Sequence, residues 1–347
     1  MEYCQSVSRP RPEGLRVHES ELIELLSSGL LVDSRGVLRG VGDDCAVLDA
    51  GDGRVWLVTV DQQIEGVHFS LESASPEDIG HKSLAVSLSD VAAMGGVPRH
   101  AFLTLALPGG AASEVARGFR AGFGELARQH GVNLLGGDVA RAPAGLFVTV
   151  TVLGEAQRER VLYRDGAAVG DRILVTGHLG LAAAGLEGSR HGKPGRPADR
   201  LLQALLRPMP RVAEGRFLAE SGAVTACIDV SDGLALDLTR LCSRSGVGGR
   251  VEEARVVLAD ELVAHAGGDR ERALALALVG GENYELCCTV RAERAESLRQ
   301  EFAQRFPLPL TDVGEILPRE AGFLRARADG TNSPLAGGFD HFAESGS

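Results

Sequence analysis

The run S-P-E-D-I-G-H-K-S-L-A-V-S-L-S-D-V-A-A-M-G, residues 75–95, decides how the chain is laid out. Ser75 suits a helix N-cap, Pro76 the first helical position and Asp78 the third. Gly95, Gly96 and Pro98 stop the helix. Leu84, Leu88 and Val91 form one apolar stripe. Ser83, Ser87 and Asp90 fall on another, within roughly 60° at 3.6 residues per turn. The spacing thus predicts a mostly apolar helix with a narrow polar seam that ends in a carboxylate.

Upstream, V-W-L-V-T-V, residues 55–60, reads as a buried strand running into Asp61. Before it, V-G-D-D-C-A-V-L-D, residues 41–49, places Asp43 and Asp44 side by side behind a glycine. A short amphipathic helix is expected over 17–29, around Leu22, Ile23, Leu25 and Leu26, and residues 1–15 read as loose. Downstream, strands are expected at 101–107 and 146–153 and a helix at 112–130. A strand over 132–135 is expected to break into G-G-D-V-A-R, residues 136–141. The first half is therefore α/β, and the polar E-A-Q-R-E-R, residues 155–160, suggests a boundary. This gives a first domain of 1–155 and a second of 156–347. The second half offers a strand over 171–176 and a flexible insert over 187–197. It then has a strand, acidic turn and helix start in V-T-A-C-I-D-V-S-D-G-L-A, residues 224–235. A Gly-Gly turn before a strand follows in 276–290, and G-G-F-D-H-F closes the pattern at 337–342.

A chain of 347 residues with 44% apolar content has enough material for sizeable cores. Its net charge of −11 and 4% aromatic content argue against nucleic acid as a partner. Phosphate ligands would need divalent cations between them and so many carboxylates. The six cysteines, at 4, 45, 227, 242, 287 and 288, include no C-x-x-C pair. They read as buried thiols in a reducing compartment. No apolar leader and no run of ~18 apolar residues is found, so a cytoplasmic protein away from membranes is expected.

Asp43/Asp44, Asp61, Asp90, Asp138, Asp229 and Asp232 all stand at the ends of apolar segments, most beside Gly, Ser or Thr. One such Asp is ordinarily a helix cap or a turn former. A set of them in one setting implies cations, because buried unpaired carboxylates are costly. Oxygen ligands without paired His or Cys favour Mg2+ or Ca2+ over zinc. Walker-type and dinucleotide-type glycine loops are absent, as are the protein-kinase H-R-D and D-F-G motifs.

Several segments, taken together and in order, resemble the thiamine-monophosphate kinases, a branch of the aminoimidazole ribonucleotide synthetase-related ATP-binding superfamily. They are G-D-D-C-A from Gly42, V-T-V-D ending at Asp61, E-G-V-H-F from Glu65 and the helix from Lys82. G-G-D ending at Asp138, I-D-V-S-D-G from Ile228, G-G-E-N-Y-E-L from Gly280 and G-G-F-D-H-F from Gly337 complete the set. The resemblance implies a two-domain α/β (α+β) fold whose N-terminal domain forms a dimeric β-barrel with a second copy, the C-terminal domain closing the cleft. It implies transfer of the ATP γ-phosphoryl group to thiamine monophosphate, with several Mg2+ ions. By motif match, Asp44, Thr59, Asp61, Asp90, Asp138, Asp229 and Asp232 would hold metal. Of these, Asp44, Asp61, Asp90, Asp138 and Asp232 would serve the transfer itself. Gly137, Asp138, Arg164 and Ser231 would contact ATP, and His68, Glu282 and Phe339 the thiamine substrate. The acceptor is itself a phosphate, whose second pKa near ~6 leaves it largely a dianion at neutral pH. No general base is then required, and charge neutralisation is the main task. On this reading Asp43-Asp44 belongs to a metal site, with Asp44 the ligand and Asp43 orienting the loop.

The chain departs from the family's usual pattern at Val60, Gln62, Gln63, Val139, Ala140 and Asn283. These changes cluster around one expected metal and the phosphates. They leave open a sister ATP-dependent enzyme with another acceptor, or a non-catalytic nucleotide- or thiamine-binding paralogue. A selenophosphate synthetase would carry Lys where Gln5 follows Cys4, and a hydrogenase-maturation enzyme would end in Cys where Ser347 stands.

Overall fold

The computed structural model of the chain describes residues 18–109, 112–190 and 199–342. The loose segment expected over 1–15 and most of the insert expected over 187–197 lie outside these residues. In the first half the elements run α1 (Glu19–Ser27), β1 (Val37–Arg39), β2 (Ala46–Gly51), β3 (Arg54–Ile64) and α2 (Pro76–Ala93). β4 (Val97–Pro108), α3 (Ala112–His130), β5 (Asn133–Ala142) and β6 (Phe147–Gln157) follow. They form an open six-stranded sheet in the order β1-β2-β3-β6-β4-β5. All pairs are antiparallel except β4 and β5, which are parallel and joined through α3.

The second half runs β7 (Arg172–Thr176), α4 (Leu181–Arg190), α5 (Arg200–Leu206), α6 (Val212–Glu220), β8 (Val224–Val230) and α7 (Leu234–Ser245). It continues with β9 (Gly248–Glu252), α8 (Asp260–His265), α9 (Arg270–Val279), β10 (Glu285–Val290), α10 (Ala292–Arg305), β11 (Leu310–Leu317), β12 (Phe323–Ala326) and β13 (Asn332–Pro334). Its sheet has seven strands in the order β13-β12-β9-β11-β7-β10-β8.

Helix α2 is the pivot between the halves. Ser75 caps it, its hydroxyl accepting from the Asp78 N–H at 3.1 Å, and the Asp78 carboxylate returns to the Ser75 N–H. Fourteen of its eighteen residues are buried, including Lys82, Ser83, Ser87 and Ser89. Leu84, Leu88 and Val91 enter the core beneath the six-stranded sheet, whereas Ala92 and Ala93 join a core under the seven-stranded one. A helix covered on every side has little amphipathic contrast, as its sequence foretold. Its neighbour α3 lies so close that glycine is required on both helices. A Cβ at Gly80 would stand 2.1 Å from the Phe119 carbonyl oxygen, and one at Gly122 would stand 1.9 Å from that of Glu77.

Two elements differ from expectation. The apolar stripe of α1 finds no burial: Leu25 is 74% and Leu26 71% exposed. Strand β5 does not break at Gly136-Gly137 but pairs with β4 through Ala142. Gly137 holds φ +150°, and a Cβ there would fall 1.7 Å from the Leu103 carbonyl oxygen. The glycine that looked like a turn is demanded by a close strand approach.

Candidate active site

The site is assembled where the ends of β3 and β8 approach α2. Period-two alternation puts Thr59, Asp61 and Gln63 on the side of β3 that faces the helix, and leaves Val60 63% exposed on the other. One oxygen from each of Asp44, Asp90 and Asp229 lies within 4.8 Å of the others. Each carboxylate has its own holder. The Arg164 guanidinium donates to Asp44 twice, at 2.7 and 3.2 Å. The Thr59 hydroxyl donates to Asp90, and the Ser89 hydroxyl to Asp229 at 2.7 Å. Beside them, the Ser87 hydroxyl donates to Asp61 at 2.7 Å. Ser83, expected in the same seam, bonds instead to the Ile79 carbonyl of its own helix at 2.7 Å. α2 therefore serves two faces, Ser87 and Asp90 toward β3 and Ser89 toward β8. Asp43 accepts from the backbone N–H groups of Asp44 and Arg164, both at 3.2 Å, and so ties its loop to the second half.

So much negative charge in a buried place alters protonation. Burial, reinforced by neighbouring carboxylates, pushes Asp61, Asp90 and Asp229 above the usual carboxylate range. Burial and the Asp44 charge push Asp43 up to about 6. The donor set fits a hard divalent cation: oxygen ligands, close spacing and more negative charge than the nearby Arg164 and Arg39 offset.

Asp232 stands at the head of α7, paired with Arg240 at 2.5 Å. Its backbone N–H donates to Asp237 at 2.9 Å, and Asp237 also takes Arg240 at 2.8 Å. Sequence reasoning missed Asp237 and Arg240; their signal was an acid and a base one turn apart just inside the helix after the acidic turn. Asp138 is exposed on edge strand β5, beside Gly137, and does not join the three clustered carboxylates. Val139 and Ala140 are exposed on the same strand.

A second group gathers at the other end of α2. The loop after α9 carries Glu282 and Tyr284 at φ +66° and +51°, conformations that side chains seldom adopt. The Glu282 N–H donates to the Ser231 carbonyl at 2.6 Å, and the Phe339 N–H to that of Asp232 at 2.9 Å. Asn283 donates to the Gly280 carbonyl at 2.6 Å and accepts from the Gly180 N–H at 2.7 Å. A carboxylate could make only the second of these bonds, so this departure suits its place. The His68 Nδ1 accepts from the Ile64 N–H at 3.0 Å, which leaves Nε2 as the donor. Burial, with His341 and Lys82 adding, lowers the His68 pKa to about 4, so the ring is neutral. His341 links the aromatic residues, its ring centroid 5.0 Å from that of His68 and 4.8 Å from that of Phe339. His341 was visible in G-F-D-H-F but carried no separate signal. Gln63 is buried with its Oε1 unpartnered.

The chain matches the family "AIR synthase related protein, N-terminal domain" over residues 42–156 and the corresponding C-terminal domain over 168–327. It is 36% identical to the thiamine-monophosphate kinase of Bacillus subtilis strain 168, across 87% of this chain and 93% of that one. It is 37% identical to the enzyme of Escherichia coli K12, across 88% and 92%. Among solved structures, the thiamine-monophosphate kinase of Stenotrophomonas maltophilia K279a aligns with a TM-score of 0.74 at 36% identity, across 91% and 95%. A structure described as AaThiL complexed with AMPPCP and TMP aligns with a TM-score of 0.81 at 29% identity, across 95% and 100%. Paired domains of one family, and identity of this level over nearly the whole length, place the chain in the thiamine-monophosphate kinase family, built on the two-domain α/β fold of the AIR synthase related proteins.

Proposed function

We infer that the chain transfers the γ-phosphoryl group of ATP to thiamine monophosphate, giving thiamine diphosphate and ADP. The observation that carries this is the layout along α2. The carboxylate cluster lies at Asp90, and the group of His68, Glu282, Phe339 and His341 lies around Lys82. Eight helical residues separate the two by about 12 Å. That span suits an acceptor with a phosphate at one end and an aromatic heterocycle at the other.

Asp44, Asp61, Asp90 and Asp229 would hold Mg2+, with Thr59 steadying Asp90. Asp138 and Asp232 would complete the ligand set around the nucleotide, and Gly137, Arg164 and Ser231 would meet ATP. Bound Mg2+ supplies charge neutralisation, so that two phosphate anions can approach. The protein's own residues then have three tasks. Ser87, Ser89 and Thr59 orient the carboxylates. The neutral His68 and the ring of Phe339 receive the heterocycle, and Glu282 answers its amino group and cationic ring. Closure of the two halves around α2 excludes water. No proton has to be removed from the acceptor.

The open sheet also presents apolar surface. Val60 is 63%, Phe102 39% and Phe147 37% exposed on its outer face, and Leu134, Leu135 and Val139 lie bare on β5. We propose that a second copy covers this face and completes a barrel. The change of sheet after β6 supports two domains, meeting just beyond Gln157 rather than at 155–156, which lies within β6. Among the described residues five cysteines are free and buried, which supports a reducing, cytoplasmic setting.

The direct test is mass-spectrometric detection of thiamine diphosphate from ATP, thiamine monophosphate and titrated Mg2+. Product that appears only with all three supports the reading; Mg·ATP binding without product overturns it.

A pH dependence follows from the raised carboxylates. In the metal-free protein, the folded state holds protons that the unfolded chain releases, for Asp43 between 3.8 and about 6. Stability therefore falls as pH rises through that window. Mg2+ should displace those protons and stabilise the fold most at the upper end. At 100 times its Kd, the gain is about 2.7 kcal/mol. Thermal melts at several pH values, with Mg2+ and with EDTA, measure both slopes. A Mg2+ effect that grows as pH falls would contradict the assignment.

A further inference from the structure

Lys82 is the charged residue that α2 buries most completely, its side chain only 3% exposed. Two groups receive its ammonium. It forms an ion pair with the Glu282 carboxylate, and it donates to the His68 carbonyl at 3.1 Å. His68 lies in the loop after β3, and Glu282 in the loop after α9. One ammonium on the central helix thus joins the two loops that face the aromatic group. Among the described residues it is the only charged side chain paired with Glu282. Glu282 keeps 23% of its side chain exposed, and its backbone holds a positive φ. Among the described residues no other ion pair sets the direction of that carboxylate.

A buried ion pair alone is weak evidence of function, since an apolar pair of similar volume is often as stable. Its position says more. The pair bridges the two halves at the end of the site away from the clustered carboxylates, and the same ammonium holds the loop of His68, whose ring meets His341 and, through it, Phe339.

We propose that Lys82 is a positioning residue for the thiamine moiety: it orients the Glu282 carboxylate, and it holds the His68 loop at the same depth. This rests on the kinase reading given above. Without the ammonium, Glu282 would lose its partner and turn to solvent. It then answers the amino group and the cationic ring poorly. The phosphate end, eight residues further along α2, keeps its own set of side chains.

The test compares Lys82→Met, which preserves the alkyl stem, with Glu282→Gln and with the double variant. Affinity for thiamine monophosphate is measured by calorimetry, and turnover by thiamine diphosphate formation. Lys82→Met is expected to weaken thiamine monophosphate binding and raise its KM by about 30-fold. The kcat at saturation and the KM for ATP should move by no more than about threefold. Because Lys82 acts through Glu282, adding Lys82→Met to Glu282→Gln should cost little more than Glu282→Gln alone. Two results overturn the proposal: equal loss on both backgrounds, or a fall in kcat with a raised KM for ATP, which would place Lys82 at the phosphates. If Lys82→Met does not fold, Glu282→Gln and Lys82→Gln supply the same comparison. Wild-type protein that binds thiamine monophosphate without turnover defeats the kinase reading alone, and the affinities still decide Lys82. Wild-type protein that does neither defeats both.

Discussion

Asp90→Asn is expected to lower kcat for thiamine diphosphate formation by about a thousand-fold while making the metal-free protein more stable. The two effects share one cause. Asp90 contributes an oxygen within 4.8 Å of oxygens from Asp44 and Asp229 and accepts from Thr59. Burial and the charges of Asp61, Asp229 and Asp44 resist its ionisation. Asparagine keeps the shape and the Thr59 bond but removes one negative charge. The metal-free fold then escapes part of a like-charge cluster, worth about 1–3 kcal/mol. On the proposed reading the site would lose a ligand whose charge offsets the cation, and removing one preorganised electrostatic group of this kind costs about 10²–10³ in rate. Turnover assays and thermal melts in EDTA read the two quantities. A variant that is inactive and also less stable in EDTA would mean that Asp90 supports the fold rather than a metal.

Gly122→Ala is expected to cost about 3 kcal/mol and to lower activity as well. Its Cβ would stand 1.9 Å from the Glu77 carbonyl oxygen, a backbone atom that cannot turn aside. α3 would have to withdraw from α2, and overpacking of this sort typically costs about 1–3 kcal/mol. Because α2 carries Lys82, Ser87, Ser89 and Asp90, any shift of the helix displaces both ends of the site. Gly124→Ala is the control on the same helix. There the new methyl meets only the end of the Arg128 side chain, at 3.4 Å. Alanine is favoured over glycine in a helix by about 1 kcal/mol, so this variant should gain stability. Chemical denaturation of the pair gives opposite signs if the helix contact is as described. Equal, small effects would show that the helices can separate freely.

Some of the architecture was readable residue by residue. The Ser75–Asp78 cap, the stripe of Leu84, Leu88 and Val91, and the alternation of β3 depend on neighbours within a turn or two, and the chain carries that information locally. The strand-end carboxylates were readable for a similar reason: an apolar segment running into Asp is itself a short pattern. The resemblance of the ordered motifs then indicated the family and the two-domain fold, and the family matches agree.

Other features came only with the tertiary structure. Ser89 meets Asp229 across 140 residues, and Lys82 meets Glu282 across a still longer separation. No local rule distinguishes either from an ordinary helix residue. Gly137 read as a turn because its need for space comes from a neighbouring strand, not from its own segment. Val60, named among the departures around an expected metal, stands on the open face of the sheet, because side chains alternate and Asp61 takes the inner side. The sequence by itself thus determined the elements, their caps and the stock of carboxylates. Which of those carboxylates converge, and which cation holds Glu282, was decided by packing α2 between two sheets, since only that packing brings distant segments close enough for their charges to interact.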